Sequence, residues 1–136
     1  MKTWVFDTNV VVSAHLNPHG IPGLLLSEVY ARRLRLACDV RMLDEYREVL
    51  LRPKFDLPVA SVYLFMAIME DQENVLPRPW PSTLPDPDDA VFLEVAACTD
   101  DKVLVSGNLK HFPRKIRGTV RVLSPQEAWS ELAAAR

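Results

Sequence analysis

The sequence predicts an α/β fold, a three-layer α/β/α sandwich built on a parallel sheet, and three observations carry that prediction. Short β-branched and aromatic runs alternate with helix-period stripes from one end of the chain to the other. Strand–helix alternation of this kind implies parallel pairing through right-handed crossovers. Several of the strand-like runs end in small or acidic polar residues, as at Asp7-Thr8-Asn9 and Ser106-Gly107-Asn108. Binding sites in such sheets lie beyond the carboxyl ends of the strands, so the chemistry is expected there.

Thr3–Phe6 reads as a buried strand, and Asp7-Thr8-Asn9 as a turn in which Asp and Asn bond their own backbone. A loop with Pro18, Gly20, Pro22 and Gly23 follows, then a helix over 24–33 whose basic end, Arg32 and Arg33, suits the helix dipole. Leu36–Cys38 is a second strand. Residues 41–52 set Met42, Leu43, Tyr46, Val49 and Leu50 on one helical stripe, and Pro53 stops the helix. Residues 59–72 form a helix that is apolar on most sides, and Asn74–Leu76 a short edge strand. Five prolines between Pro77 and Pro87 make a stiff extended loop rather than a domain boundary. A helix over 87–98, strands at Val103–Val105 and Val120–Leu123, and a closing helix over 125–134 complete the chain. Ser124-Pro125-Gln126-Glu127 is a capping box with Pro in the first helical position.

Composition narrows the function. The chain has 136 residues, 49% of them hydrophobic, which suits one domain spanning 1–136 with a core that needs no staples. Two cysteines, Cys38 and Cys98, are too few for a disulfide framework and fit no zinc spacing; both are expected as reduced core residues. No apolar run reaches membrane-spanning length and no secretory leader precedes Asp7, so a cytoplasmic protein is expected. Net charge is −2, but residues 59–101 carry nine acids against Arg78 alone, while 102–136 carry seven bases against two acids. A locally acidic middle suggests a cation site.

The carboxylates are taken singly. Asp7 ends the first strand and is either a turn-former or a functional acid. At about 100° per residue Asp44 and Glu48 fall opposite the apolar stripe, whereas Glu45 falls on its shoulder. An inward acid costs desolvation unless a partner such as Arg41 or a metal neutralises it. Asp86, followed by Pro87, is an ordinary helix cap. Asp89 shares a face with Phe92, Leu93 and Ala96, and Asp88 points to solvent. His15 and His19 read as loop surface, while His111 reaches the edge marked by Asn108. Asp7, Glu45, Asp89 and Asp86 at one sheet edge would repel without a counterion, and all-oxygen ligands suit Mg²⁺ or Mn²⁺. Such a centre fits phosphodiester hydrolysis better than peptide hydrolysis.

Val5-Phe6-Asp7-Thr8-Asn9-Val10 with Ser13, and Glu45 within Leu43–Leu50, resemble the opening half of a PIN domain. Asp89-Ala90-Val91-Phe92 with Ala96, and Leu104–Pro113 containing Ser106-Gly107-Asn108-Leu109-Lys110-His111, resemble its second half. Arg52-Pro53-Lys54-Phe55 and the Asp-Pro-Asp-Asp box are most similar to a branch of toxin components of toxin–antitoxin systems, with VapC-type toxins as relatives. The resemblance implies a metal-dependent endoribonuclease on a sheet of about five strands in order 3-2-1-4-5. It implies Asp7, Glu45 and Asp89 as catalytic, metal-binding acids, with Asp86 as a further metal ligand. Asn9, Ser106 and Asn108 would orient those carboxylates. Many PIN domains carry a fourth acid where this chain has Asn108 and His111. The implied partners are an RNA substrate, an antitoxin protein and a second copy of the chain, with no membrane.

RNA would need local positive charge, for which Arg52, Lys54, Lys110, Arg114, Lys115 and Arg117 are available. A receiver-like phosphotransfer protein is a poor match, since Lys102 precedes its strand and Lys110 follows the Asn108 turn. A non-catalytic PIN-like binding module is the alternative, motivated by the missing fourth acid and the apolar helix 59–72.

Overall fold

Five parallel strands form the sheet of the computed structural model, which describes residues 1–135. They are β1 (Thr3–Phe6), β2 (Arg35–Cys38), β3 (Glu73–Asn74), β4 (Val103–Val105) and β5 (Arg121–Leu123), in the order β3-β2-β1-β4-β5. Every neighbouring pair is parallel, so the chain is the α/β sandwich that the alternation predicts. The central strand is apolar throughout its buried length: Trp4, Val5 and Phe6 are wholly inaccessible, as are Val103, Leu104 and Val105 beside it. Strands covered on both faces need such continuous apolar runs.

The flanking helices are α1 (Thr8–Leu16), α2 (Ile21–Tyr30), α3 (Val40–Leu50), α4 (Val59–Glu70), α5 (Ala90–Ala97) and α6 (Pro125–Ala134). In α3 Met42, Tyr46 and Leu50 are buried while Asp44 and Glu48 are exposed, as the stripe requires. Tyr46 sets its ring edge against Phe65 of α4, centroids 5.7 Å apart, and its hydroxyl donates to the Phe6 carbonyl. Side chains of this size each contribute roughly 1.5–3 kcal/mol on burial. The capping box at Ser124 and Glu127 is formed in both directions.

Several expectations are corrected, the edge strand among them: β3 is Glu73–Asn74 rather than Asn74–Leu76, because backbone pairing with Ala37 and Cys38, not apolar burial, places it. Thr8 and Asn9 are not an isolated turn but the first turn of α1, because Val10, Val11, Val12 and Ala14 are buried against the core and that burial outweighs their β-branched preference. His15 is therefore helical, with its ring edge-on to Phe65 at 5.2 Å, and is not loop surface; His19 is exposed. The second helix begins at Ile21, three residues early, with Pro22 in its first turn and Gly23 lying flat on the preceding loop. A Cβ on Gly23 would stand 2.2 Å from the Pro18 carbonyl oxygen, so only glycine permits that approach. Arg32 and Arg33 lie beyond the end of α2, Arg32 in a left-handed turn with φ 62°. Cys38 is buried, but Cys98 follows the end of α5 and is exposed, contrary to the expectation of two core thiols. No helix among the described residues is long and apolar enough to cross a membrane.

Candidate metal centre

The carboxyl ends of β1 and β4 bring the first two polar groups together. Phe6 pairs with Val105, so the next residues, Asp7 and Ser106, stand side by side. Asp7 occupies the N-cap position of α1, yet its side chain makes no capping hydrogen bond there. Its Oδ2 accepts instead from Ser106 Oγ at 2.7 Å and from Asn9 Nδ2 at 3.2 Å. Asn9 also accepts the Gly107 N–H at 2.9 Å through Oδ1, and Ser106 Oγ accepts the Asn108 N–H at 3.0 Å. The turn after β4 is thereby tied to the first turn of α1.

Asp89 arrives from another direction. Asp86 Oδ1 accepts the Asp88 N–H at 3.0 Å, Pro87 opens a single 3₁₀ turn, and α5 begins at Ala90. Asp86 and Asp88 are exposed and Asp89 is half-buried, the pattern expected of the box. His111 Nδ1 lies 2.9 Å from Asp89 Oδ2, an ion pair when the imidazole is protonated. No other group donates to this buried oxygen. On its far side His111 Nε2 accepts from Asn108 Nδ2 at 2.8 Å, which leaves the proton on Nδ1, facing Asp89. Glu45, half-buried on the shoulder of α3, accepts from the Thr8 hydroxyl.

These groups feel one another. Burial raises the Asp7 carboxyl above its ordinary range, Ser106 partly offsets this, and Glu45 raises it further. Asp89 is pushed up to about 6, first by burial, then by Asp7, with His111 opposing and Asp86 adding to the rise. Both acids are thus costly to ionise where they stand, a cost that a bound cation would remove.

Among the described residues no three His, Cys, Asp or Glu side chains are close enough to enclose a metal ion as they stand. What the structure brings together is a pair, Asp7 and Asp89, within each other's field, with Glu45 held at one side by Thr8 and Asp86 near Asp89 but capping its own turn. Asp89 Oδ2, met by His111 alone, and the all-oxygen donors fit a hard cation that keeps part of its water shell.

A family model of the PIN domain matches residues 3–110. The chain belongs to the PIN-domain family. The match spans Asp7, Glu45, Asp89 and the Ser106–Asn108 turn, and gives the chain a nuclease-type fold. No curated protein matches it.

Two features of this PIN-domain site escape sequence reasoning. Thr8, not Arg41, is the partner of Glu45, and only its place between Asp7 and Asn9 hints at this. Arg41 turns the other way, to Asp39 and Glu94. Of the basic residues, Lys110 and Arg114 lie in the 3₁₀ turns around His111. Arg52 pairs with Glu48 beyond the end of α3, and Lys54 lies over the Phe55 ring at 5.1 Å.

Proposed function

We propose that the protein is a Mg²⁺- or Mn²⁺-dependent endoribonuclease that hydrolyses RNA phosphodiester bonds. The observation that carries this reading is Asp89 Oδ2, a buried carboxylate oxygen met only by the His111 ring, in the field of a second buried carboxylate, Asp7. A divalent ion bound there would supply an activated water and offset charge developing on the phosphoryl group. Asp7 and Asp89 would hold the ion, Glu45 directly or through water, and Asp86 from the outer side. Ser106 and Asn9 fix the Asp7 carboxylate, so that it meets the ion in one orientation. His111, backed by Asn108, stands where many PIN domains carry a fourth acid and would hold a proton at Nδ1 beside Asp89. Lys110 and Arg114, in the turns around His111, would meet substrate phosphates, with Arg52 and Lys54 as further candidates.

The same reading makes this the toxin half of a toxin–antitoxin pair, cytoplasmic and dimeric. It rests on the resemblance of the Asp86–Asp89 box and of Arg52–Phe55, together with the outer face of α4, where Val59, Tyr63 and Leu64 are exposed. That face and the absent fourth acid also favour the second reading, a PIN-like module acting through partners.

The deciding experiment is cleavage of a mixed RNA pool with Mn²⁺, Mg²⁺ or EDTA, comparing wild type with Asp89→Asn. Metal-dependent cleavage that disappears in the variant is expected. Equal activity in both would remove Asp89 from the centre, and activity in neither would leave the binding module ahead.

A further inference from the structure

Glu94 lies inside the apolar run of α5, Ala-Val-Phe-Leu-Glu-Val-Ala-Ala, and is 8% exposed. A buried acid in such a run is costly unless both oxygens are matched. They are: Oε1 meets Arg41 Nη2 at 2.8 Å, and Oε2 accepts the Trp80 N–H at 2.7 Å. Arg41 also grips Asp39 Oδ2, through Nε at 2.8 Å and Nη2 at 2.6 Å. Asp39, itself buried, uses Oδ1 to cap α3 at Met42 N, 3.0 Å away. Beyond Trp80 the connection continues, because its indole Nε1 donates to the Ile116 carbonyl at 2.9 Å. Gly118 (φ 58°) lies under that ring, where a Cβ would reach it at 3.5 Å.

The polar chain therefore joins the first turn of α3, the middle of α5, the proline loop and the segment after His111. Three of these elements adjoin a group of the proposed metal centre. Glu45 follows Arg41 by four residues, Asp89 precedes Glu94 by five, and His111 precedes Ile116 by five. None of Asp39, Arg41, Glu94 and Trp80 has a part in the proposed hydrolysis. As a device for stability alone the network is poor, since a buried ion pair often gains nothing over well-packed apolar side chains. What it provides is orientation: one guanidinium fixes two carboxylates from different elements in a single geometry.

We propose that Glu94, through Arg41 and Trp80, is a positioning residue that sets the distance between the Asp89 end of α5 and the Glu45 helix, and so sets metal affinity. This rests on the metal-nuclease reading above. The test is Glu94→Gln, which keeps the side chain's shape but removes the charge that Arg41 holds, with Arg41→Gln as a second variant at a half-exposed position. Three quantities are read: Mn²⁺ affinity by titration calorimetry, the Mn²⁺ dependence of RNA cleavage, and amide hydrogen exchange over residues 86–92.

Mn²⁺ affinity about tenfold weaker is expected in both variants, as for other groups that orient metal ligands. Cleavage at saturating Mn²⁺ should change less than threefold, and exchange over 86–92 should quicken. Wild-type Mn²⁺ affinity and wild-type exchange in both folded variants would overturn the proposal, leaving the network a structural one. If one variant fails to fold, the other decides by the same criteria. If wild-type protein neither binds Mn²⁺ nor cleaves RNA, the metal-nuclease reading fails, and with it the claim on metal affinity. Quickened exchange over 86–92 would then still show Glu94 fixing the start of α5, and unchanged exchange would overturn that too.

Discussion

Ser106 is the cross-strand neighbour of Asp7, and its hydroxyl donates to Asp7 Oδ2 across 2.7 Å while being itself wholly buried. The bond offsets part of the cost of keeping the Asp7 carboxylate charged out of water. Ser106→Ala removes that donor and the acceptor of the Asn108 N–H together. Stability should fall by about 1–2 kcal/mol, the usual range when a buried group loses its partner. Metal-dependent RNA cleavage should fall by roughly 10- to 100-fold. Thermal denaturation and the cleavage assay check the two halves separately, and full activity in the variant would show that Asp7 does not depend on Ser106.

Asp89 gives a prediction with a definite sign. Its pKa is raised from 3.8 to about 6, chiefly by burial and next by Asp7, so the folded protein binds this proton more tightly than the unfolded chain does. The stability contributed by the neutral form is fully present below the unfolded value and is lost as pH rises through about 6. Asp7 acts in the same direction. In metal-free buffer at neutral pH, Asp89→Asn should therefore be more stable than wild type, by on the order of 1 kcal/mol given its partial exposure to solvent. The difference should shrink on acidification towards pH 4. Addition of Mn²⁺ should reverse the ranking, because the ion stabilises only the protein that binds it. Melting curves at several pH values, with EDTA or Mn²⁺, test all three statements; a variant less stable than wild type in EDTA at neutral pH would contradict the crowding of these acids.

Thr8 is buried in the first turn of α1, and its hydroxyl donates to Glu45 Oε2. Thr8→Val keeps the branched shape and removes the donor. Glu45 is only half-buried and can turn to water, so stability should change by less than about 1 kcal/mol. Cleavage should drop about tenfold, because an acid free to rotate must be ordered each time it is used. Thr8→Ser should restore most of the activity. If valine and serine behave alike, the hydroxyl is not what holds Glu45.

The architecture was legible because it depends on periodicity, which single residues cannot disguise: four of the five strands and α3, α4 and α6 lie where the apolar pattern puts them, while β3, two exposed polar residues paired with Ala37 and Cys38, falls before the apolar Val75-Leu76. The first two helices were harder to place. In α1 three consecutive valines argue locally for extended chain, and only their burial against the core, a tertiary effect, makes the segment helical. In α2 the helix starts inside a Pro/Gly cluster that reads as a loop until Gly23 is seen against Pro18. At the candidate site, Asp7 and Asp89 stand out in the sequence by their position at a strand end and a helix start. Their partners do not. Arg41 is four residues from Glu45, the spacing of a helical ion pair, yet it bonds Asp39 and Glu94, because both carboxylates are more deeply buried than Glu45 and need the charge more.

Tyr46 offers a way to separate fold from site. It is wholly buried, its ring packs edge-on to Phe65, and its hydroxyl donates to the carbonyl of Phe6, the residue before Asp7. Burial, then Cys38 and the neighbouring carboxylates raise the phenol far above its ordinary range, so it stays neutral and contributes no pH dependence of its own near neutrality. Tyr46→Phe keeps the ring and leaves the Phe6 carbonyl without that donor. The loss should be about 1–2 kcal/mol, or roughly 3–8 °C in melting temperature for a domain of this size. Activity at a temperature where both proteins are folded should stay within about threefold of wild type. The reason is that Asp7 is anchored independently: its N–H donates to the Val105 carbonyl at 2.9 Å, and Ser106 and Asn9 hold its side chain. A large loss of cleavage with little loss of stability would mean that the end of β1 is positioned from α3 rather than from β4.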